Sequence, residues 1–313
     1  MDFGIRYLDY YVPNSVLPLT ELIDEISDEC LPAGFQSKME YSTFCTEELK
    51  LKDIRVEHNL KDFEMLEILL NRLFHTEMKP KDVDAIVFAQ ERFNYVQENI
   101  AQYLQYEFKM SNAFIMNISG SHCSNIELAM MAGKGILADN PDLHNVLIIS
   151  VQKILDHNKR IIGKTALLGD GAGLLVLSRD MSNIKVKDIS IINNGYFYDP
   201  TRNENNFLLQ YKWAHKSLDS IFNRNNIKPD EIKKVIVQNI NPYADETYLQ
   251  KYDILQDRIF EENIGRYGHL TCIDFIVNMK DCYEKKELAE GSLVISYSMG
   301  WAGSFATSLF CFL

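Results

Sequence analysis

Two segments of the chain repeat the same succession of polar and apolar positions. MKPKDVDAIVFAQ (78–90) and IKPDEIKKVIVQN (227–239) each begin with a Lys-Pro pair, continue through acidic residues and end in an apolar run. Each follows a segment with helical character, FEMLEILLNRLFH (63–75) or KWAHKSLDSIFNR (212–224). Because proline cannot continue a helix and a short apolar run is typical of a buried strand, both segments predict a helix followed by a strand.

A second pair of similar segments follows in each half of the chain. HNVLIISVQK (144–153) resembles GSLVISYSMG (291–300), and each is a continuous apolar run of the kind found in central strands. GDGAGLLVLS (169–178) and GWAGSFATSLF (300–310) are both glycine-rich turns that enter a strand. The elements recur in the same order, so we predict an α/β protein that arose by duplication. Chance similarity between parts of an α/β chain is the alternative.

Composition narrows the class of protein. The chain has 313 residues, of which 46% are hydrophobic, and a net charge of −12. A net negative charge does not indicate binding to nucleic acid, which requires clustered Lys and Arg, and it disfavours binding to an anionic membrane surface. The first residues, MDFGIRYLDYYVPN, lack a basic region followed by an apolar one, and no apolar run reaches about 18 residues. We therefore expect a cytoplasmic globular protein without a membrane span.

The cysteines and glycines exclude two common kinds of site. The six cysteines show no CxxC pair, so neither a disulfide framework nor a metal site is predicted. Gly169, Gly171 and Gly173 suggest a phosphate cradle, but a strand-like segment follows them where a nucleotide site requires a helix. We interpret them as a tight turn in which two backbone segments approach closely.

Cys123 is the strongest candidate for chemistry. It lies in NISGSHCSNIELAM (117–130), and the apolar residues after it recur at helical spacing. A cysteine at the start of a helix experiences the positive end of the helix dipole, which favours the thiolate and lowers its pKa. The alternative is an inert buried thiol, which is the commoner state of a cysteine in apolar surroundings.

The wider pattern resembles the ketoacyl synthase III branch of the thiolase superfamily. AFIMNISGSHCSNIELAM is followed by VLIIS and, about 45 residues after the cysteine, by the GDGAG turn. The resemblance implies a duplicated thiolase-like fold with five layers, α-β-α-β-α, and two mixed sheets. It divides the chain into an N-terminal half (1–180), which carries Cys123 as the nucleophile, and a C-terminal half (181–313), which carries further site residues.

Two motifs differ from those of the family. Gln238 occupies the position of a histidine in VIVQNIN, and Asn241 matches the asparagine of that motif. In RYGHLT, His269 occupies the position where the family has an asparagine. A glutamine can donate hydrogen bonds but cannot exchange a proton near neutral pH, whereas a histidine does both. We therefore expect His269 to act as the catalytic base and Gln238 and Asn241 to bind substrate or stabilise an oxyanion.

Three further residues are candidates. Glu91 ends the first repeated strand, where the related hydroxymethylglutaryl-CoA synthases carry a catalytic glutamate, and it is an alternative base. His122 adjoins Cys123 and is expected to shape the floor of the pocket. Gly300 lies in SMGWAGS (298–304), which resembles the glycine-rich loop that supplies an oxyanion N–H in the family.

The resemblance implies an acyltransferase or condensing enzyme of specialised metabolism that works through an acyl-Cys123 thioester. The acyl group is expected to come from an acyl-CoA or an acyl-carrier protein and to pass to a small-molecule acceptor, with no bound cofactor and no metal. A homodimer, or a heterodimer with a paralogue, is the expected assembly. Asp245 and Glu246 are expected to repel an acidic carrier. The alternatives are a non-catalytic partner subunit of a ketoacyl synthase and a cysteine-dependent hydrolase or lyase.

Overall fold

The computed structural model of the chain describes residues 3–91, 99–180, 182–199 and 206–313. These residues form fourteen β-strands and nine α-helices. The strands are β1 (Gly4–Tyr11), β2 (Val16–Pro18), β3 (Asp53–Arg55), β4 (Ala85–Ala89), β5 (Phe114–Ile118), β6 (Asn145–Gln152), β7 (Ile161–Ile162), β8 (Ala166–Leu167), β9 (Gly171–Ser178), β10 (Ile184–Asn193), β11 (Ile232–Ile236), β12 (Ile259–Phe260), β13 (Leu293–Gly300) and β14 (Ser304–Phe312). The helices are α1 (Leu19–Glu25), α2 (Lys38–Glu47), α3 (Asp62–Thr76), α4 (Ile100–Glu107), α5 (Asn125–Asp139), α6 (Phe207–Asn225), α7 (Pro242–Gln250), α8 (Ile264–Tyr267) and α9 (Ile273–Glu284).

The strand order confirms the duplication. Ten strands form one sheet in the order β12-β11-β13-β14-β10-β1-β9-β6-β4-β5. In the first half, β9 pairs antiparallel with both β1 and β6, and in the second half β14 pairs antiparallel with both β10 and β13. Strand β4 lies between β5 and β6 and is parallel to both, and β11 has the same position between β12 and β13. The two predicted mixed sheets are joined edge to edge where Gly4 and Ile5 pair with Lys185 and Ile184.

The repeated Lys-Pro pairs have the same local structure in both halves. Each proline begins a single turn of 3₁₀ helix, Pro80–Asp82 or Pro229–Glu231, immediately before β4 or β11. The backbone N–H of Lys79 donates to the carboxylate of Asp82 at 3.0 Å, and that of Lys228 donates to Glu231 at 2.6 Å. The acidic residue of each repeat is therefore a cap that fixes how the chain enters the strand.

The helices form three layers around the two halves of the sheet. Helix α3 packs on β1, β6 and β9, and α6 packs on β10 and β14, so these helices cover the outer faces. Helices α5 and α9 lie in the middle, because α5 contacts β4 and β6 of one half and β10 and β14 of the other, while α9 contacts β1, β9 and β11. This is the five-layer arrangement that the resemblance predicted. The predicted helices 63–75 and 212–224 lie within α3 and α6.

Close packing around α5 fixes the position of the segment that carries Cys123. Ile126, Ala129, Met130 and Leu137 are fully buried between the two halves of the sheet. Gly133 lies so close to β9 that a Cβ there would be 3.0 Å from the Leu177 side chain. A helix buried on this many sides moves little, since protein interiors are packed as densely as organic crystals.

Two expectations concern the chain as a whole. The expected division after residue 180 falls between β9 and β10 and stays a prediction. Throughout the part of the chain that the structure describes, no helix combines the length and apolar character needed to cross a membrane.

Candidate active site

A strained turn presents Cys123 at the entrance to α5. The chain leaves β5, passes Gly120 with φ of +93°, and reaches His122 with φ of +47°. His122, Cys123 and Ser124 then form one 3₁₀ turn that runs directly into α5. A left-handed backbone costs a residue with a side chain about 1 kcal/mol or more. The strain at His122 is therefore maintained by the surrounding packing, and it turns Cys123 toward the cleft that it lines.

The side chain of Asn125 ties this turn to the end of β4. Its Oδ1 accepts the backbone N–H of Ser121 at 2.9 Å, and its Nδ2 donates to the carbonyl oxygen of Gln90 at 2.8 Å. Asn125 is fully buried. These two bonds cross-link the residues on either side of the nucleophile position, so the turn cannot shift without breaking buried hydrogen bonds.

The turn that contains Gly169, Gly171 and Gly173 holds the backbone of His269 and is not a phosphate-binding loop. The N–H of His269 donates to the Leu167 carbonyl at 2.8 Å, and the His269 carbonyl accepts the N–H of Gly169 at 3.1 Å. A Cβ at Gly169 would lie 2.3 Å from the carbonyl oxygen of Tyr267, so only glycine fits there. This confirms the prediction of a turn in which two backbone segments approach closely.

Cys123, His269 and Asp274 form a chain of polar contacts. The Sγ of Cys123 is 3.2 Å from Nε2 of His269, and Nδ1 of the same ring is 2.5 Å from Oδ2 of Asp274. A carboxylate accepts, so Nδ1 carries a proton and Nε2 is free to take one from the thiol. All three side chains are buried, which strengthens these contacts electrostatically.

Asp274 is itself fixed by two backbone donors. Its Oδ1 accepts the N–H of Leu270, and its Oδ2 accepts the N–H of Asn239, both at 2.7 Å. The first donor belongs to the turn before α9 and the second to the segment after β11. The carboxylate is therefore held in one orientation, and it holds the imidazole in turn.

The expected lowering of the Cys123 pKa is wrong. Burial raises the pKa of this thiol well above its ordinary value, and the carboxylate of Glu91 raises it further, as do Cys272 and Asp274. The backbone N–H of Cys123 lowers the pKa, but this effect is smaller than that of burial. Desolvation exceeds the influence of the helix start because Cys123 is only 7% exposed. The resting thiol is therefore protonated, and reaction requires a base such as His269.

Gln238 lies beside Cys123, whereas Asn241 caps a helix. The Oε1 of Gln238 accepts the backbone N–H of Met299 at 2.8 Å, which orients its Nε2 amino group. Both residues line the cleft that contains Cys123. The Oδ1 of Asn241 accepts the N–H of Tyr243 at 3.0 Å and thereby caps α7. Gln238 is thus the better placed of the two to donate to a bound acyl group.

Glu91, His122 and Gly300 surround the same turn. Nδ1 of His122 lies 3.5 Å from Oε1 of Glu91, and both side chains are about one quarter exposed at the cleft. Gly300 ends β13 directly against the nucleophile turn, because a Cβ there would be 2.0 Å from the Ser121 carbonyl oxygen. The structure thus brings together every residue that was predicted for the site, with Asn241 at its outer part.

The cleft is large enough for an extended substrate. Its volume is about 1410 Å³, and it runs from Cys123 past Trp301 to the segment that carries Lys159 and Lys164. No group of three or more His, Cys, Asp or Glu side chains that could hold a metal occurs within residues 3–91, 99–180, 182–199 and 206–313.

The expected repulsion of an acidic carrier by Asp245 is wrong. Asp245 is 2% exposed, and burial raises its pKa well above the ordinary value, so it does not present a surface charge. Lys251, the cation of that segment, pairs with Asp219 at 3.0 Å. Glu246 is partly exposed, and its expected repulsion of such a carrier stays a prediction.

Sequence reasoning missed two carboxyl groups of the site. Asp274 follows His269 by five residues, which is a spacing without a recognisable motif. Glu127 follows Cys123 by four residues and is fully buried, and burial raises its pKa to about 7. An acidic residue within the apolar run IELAMMA (126–132) was the available signal for Glu127.

Comparisons with known proteins agree with this architecture. A family model described as the C-terminal part of 3-oxoacyl-[acyl-carrier-protein (ACP)] synthase III matches residues 222–311. The β-ketoacyl-[acyl-carrier-protein] synthase III of Campylobacter jejuni strain RM1221 is 25% identical over 99% of this chain and 97% of its own length.

Solved structures share the fold at lower identity. The 3-oxoacyl-[acyl-carrier-protein] synthase III of Aquifex aeolicus VF5 superposes with a TM-score of 0.83 at 18% identity, covering 99% of this chain and 100% of the other. ChlB3, described as an acyltransferase, gives a TM-score of 0.84 at 14% identity, covering 100% and 98%. In sequence the chain is thus similar to β-ketoacyl synthase III proteins, and in fold it is similar to the solved structures of that enzyme and of ChlB3.

Proposed function

We propose that this protein is an acyltransferase or condensing enzyme in which Cys123 carries the acyl group as a thioester. The observation that supports it best is the 3.2 Å contact between the Cys123 Sγ and Nε2 of His269, which Asp274 orients. A nucleophile, a base within hydrogen-bond reach and a third group that orients the base are the parts that covalent acyl transfer requires. The names of the relatives agree with this reaction class.

Loading begins when His269 takes the proton of the Cys123 thiol. The thiolate attacks the carbonyl carbon of the acyl donor, a tetrahedral oxyanion forms, and the donor thiolate leaves with a proton returned from His269. The Nε2 amino group of Gln238 is available to donate to that oxyanion, because only its Oε1 is engaged. Gly300 places the end of β13 against the same turn.

The second half of the reaction transfers the acyl group from Cys123 to a small-molecule acceptor. His269 can remove a proton from an incoming alcohol or amine, and Glu91 at the cleft is the alternative base. Gln238 replaces a histidine and cannot supply or remove a proton near neutral pH. This favours transfer, or condensation with an acceptor that is already a nucleophile, and supports a role in specialised metabolism.

The donor is an acyl-CoA or an acyl-carrier protein. Both present an acyl thioester on a phosphorylated arm, and Lys159 and Lys164 line the outer part of the cleft, where such a phosphate would lie. The buried position of Asp245 removes its part of the expected repulsion of an acidic carrier, and Glu246 retains its part. A cytoplasmic location and the absence of a bound cofactor stay predictions.

We propose a homodimer formed through the first half of the sheet. Strand β5 is one of the two edges of the sheet that the described residues form, and it exposes Phe114 and Met116 at 46% and 36%. An unpaired edge with apolar side chains is a site for pairing with a second strand. Sedimentation of the wild type and of Met116→Lys tests this, with a shift of the variant to monomer expected. A monomeric wild type would contradict it.

Product analysis tests the proposed reaction. The protein is incubated with a panel of acyl-CoAs and then with amines, alcohols or malonyl thioesters, and the products are identified by mass spectrometry. An acylated acceptor or a β-keto product would support the proposal and distinguish transfer from condensation. The non-catalytic partner subunit is not favoured, since the Cys–His–Asp arrangement is complete, and it would require that no donor and no acceptor react.

A further inference from the structure

A small cavity adjoins the main cleft at the nucleophile. Its volume is about 10 Å³, and it is lined by Cys123, Glu127, Gln238, Thr271, Ser296 and Tyr297, among others. A volume of this size accommodates the centre of one water molecule. Gln238 lines both this cavity and the main cleft, so the two meet at the position of the acyl group.

Two residues that line the cavity carry a buried polar atom without a hydrogen-bond partner among the described residues, namely Gln238 with its Nε2 and Ser296 with its Oγ. Glu127 lines the same cavity, and a side-chain hydrogen bond from Ser298 lowers its pKa, although burial raises it more. The Oγ of Ser298 also lies 3.1 Å from the Oγ of Ser124. A buried polar group without a partner costs about 1–3 kcal/mol, so two such groups around one cavity favour a bound polar molecule.

We propose that this cavity holds one water molecule and that Glu127 uses it to hydrolyse the acyl-Cys123 thioester. The inference rests on the proposed function, since it requires an acyl group on Cys123. It adds a second reaction at the same nucleophile, namely release of the acyl group as a free carboxylic acid when no acceptor takes it.

The position of Glu127 suits this role. It lies in the first turn of α5 and lines the same cavity as Cys123. The water has enough partners for a stable site, since Ser296 and Gln238 line the cavity together with the carboxyl group of Glu127. The titratable groups near Glu127 are Cys123 in the cavity and Cys272 beside it. Burial raises the pKa of Glu127 to about 7, so at neutral pH a large fraction of the carboxyl group is ionised and accepts a proton.

The proposed step balances without any further reactant. The water oxygen attacks the thioester carbonyl carbon while one water proton passes to the Glu127 carboxylate. The C–S bond then breaks, and the Cys123 sulfur leaves as a thiolate that takes up the proton held by Glu127, which restores the Glu127 carboxylate. The products are one carboxylic acid and the free enzyme, and no oxidant or metal takes part.

Decay of the loaded enzyme tests the proposal. The wild type, Glu127→Gln and Ser296→Ala are loaded with an acyl-CoA, freed of the donor by rapid desalting, and followed by intact-protein mass spectrometry without an acceptor. We expect all three to load, and the adduct to decay about 10²-fold more slowly in Glu127→Gln, the lower end of the range for loss of a general base. Ser296→Ala, which removes only a hydroxyl group from the cavity, should also decay more slowly.

Asp245→Asn is the matched control, because Asp245 is likewise a fully buried carboxyl with a raised pKa but does not line the cavity. It should decay at the wild-type rate. Decay at the wild-type rate in both Glu127→Gln and Ser296→Ala, with normal loading, would overturn the hydrolytic role and leave the proposed acyl transfer intact. Absence of any adduct on the wild type would overturn both.

Discussion

The imidazole of His269 connects the two halves of this duplicated fold at the nucleophile. Its Nε2 lies 3.2 Å from the Cys123 Sγ, although the two residues are separated by 146 positions and come from different halves. The GDGAG turn of the first half holds the backbone of His269 through Leu167 and Gly169. The contact between Cys123 and His269 therefore depends on how the two halves pack together.

Asp274→Asn should slow acylation of Cys123 by about 10²–10⁴-fold while leaving the fold intact. An amide in place of the carboxylate can donate to Nδ1, which favours the tautomer whose Nε2 carries the proton and cannot accept one from the thiol. The rate of adduct formation with an acyl-CoA measures this. A wild-type rate in the variant would show that the Asp274–His269 contact at 2.5 Å is structural and does not assist the base.

Glu91→Gln should shift the alkylation of Cys123 by iodoacetamide to lower pH. The Glu91 carboxylate is one of the charges that raise the pKa of this thiol, so its removal favours the thiolate. The pH profile of the alkylation rate is the measurement. Asp180→Asn, which removes an exposed carboxylate that pairs with His144, is the control and should keep the wild-type profile. An unchanged profile in Glu91→Gln would exclude electrostatic coupling between Glu91 and Cys123.

Gly300→Ala should abolish most of the activity. A Cβ at this position would lie 2.0 Å from the Ser121 carbonyl oxygen, so either β13 or the nucleophile turn must move. Displacements of about 1 Å at such a site are expected to reduce the rate by about 10²-fold. Gly135→Ala is the matched control, because a Cβ there meets no atom within 4 Å. It should retain activity and gain up to about 1 kcal/mol of helix stability. Equal activity of the two variants would contradict this account of Gly300.

Replacing Glu127 by glutamine should change how stability depends on pH. Burial raises the pKa of Glu127 from 4.5 to about 7 in the folded protein. The folded state therefore prefers the protonated form, and this stabilisation is present below the unfolded pKa and lost as pH rises toward the folded one. The total effect is roughly 3 kcal/mol, of which about 1 kcal/mol falls between pH 6 and pH 8.

Urea unfolding at pH 6 and pH 8 measures this difference. The wild type should lose about 1 kcal/mol more unfolding free energy over this interval than Glu127→Gln, whose side chain does not titrate. Parallel pH dependences for the wild type and Glu127→Gln would show that Glu127 has an ordinary pKa.

The parts of the fold that sequence reasoning predicted are those determined by local patterns. The Lys-Pro turns before β4 and β11 and the apolar runs of β6 and β13 are encoded in adjacent residues, and they were found from the repeat. His269 was found because its motif survives in altered form. The turn at the GDGAG glycines followed from the strand-like residues after them.

The remaining features depend on packing between distant segments. The carboxylate of Asp274 is held beside His269 by the N–H groups of Asn239, after β11, and Leu270, before α9. No sequence pattern indicates that these two segments meet. The pKa of Cys123 was predicted in the wrong direction because burial, which follows from tertiary packing, exceeds the effect of the helix start. Asp245 was mistaken for a surface charge for the same reason.

Intact-protein mass spectrometry after incubation with a panel of acyl-CoAs and acyl-carrier proteins tests the central claim most directly. The wild type should gain the mass of one acyl group, Cys123→Ala should gain none, and Cys272→Ala, which removes the neighbouring buried thiol, should still be acylated. Peptide mapping should place the adduct on Cys123. Acylation of Cys123→Ala to the wild-type extent, or no adduct with any donor, would contradict the acyl-Cys123 mechanism.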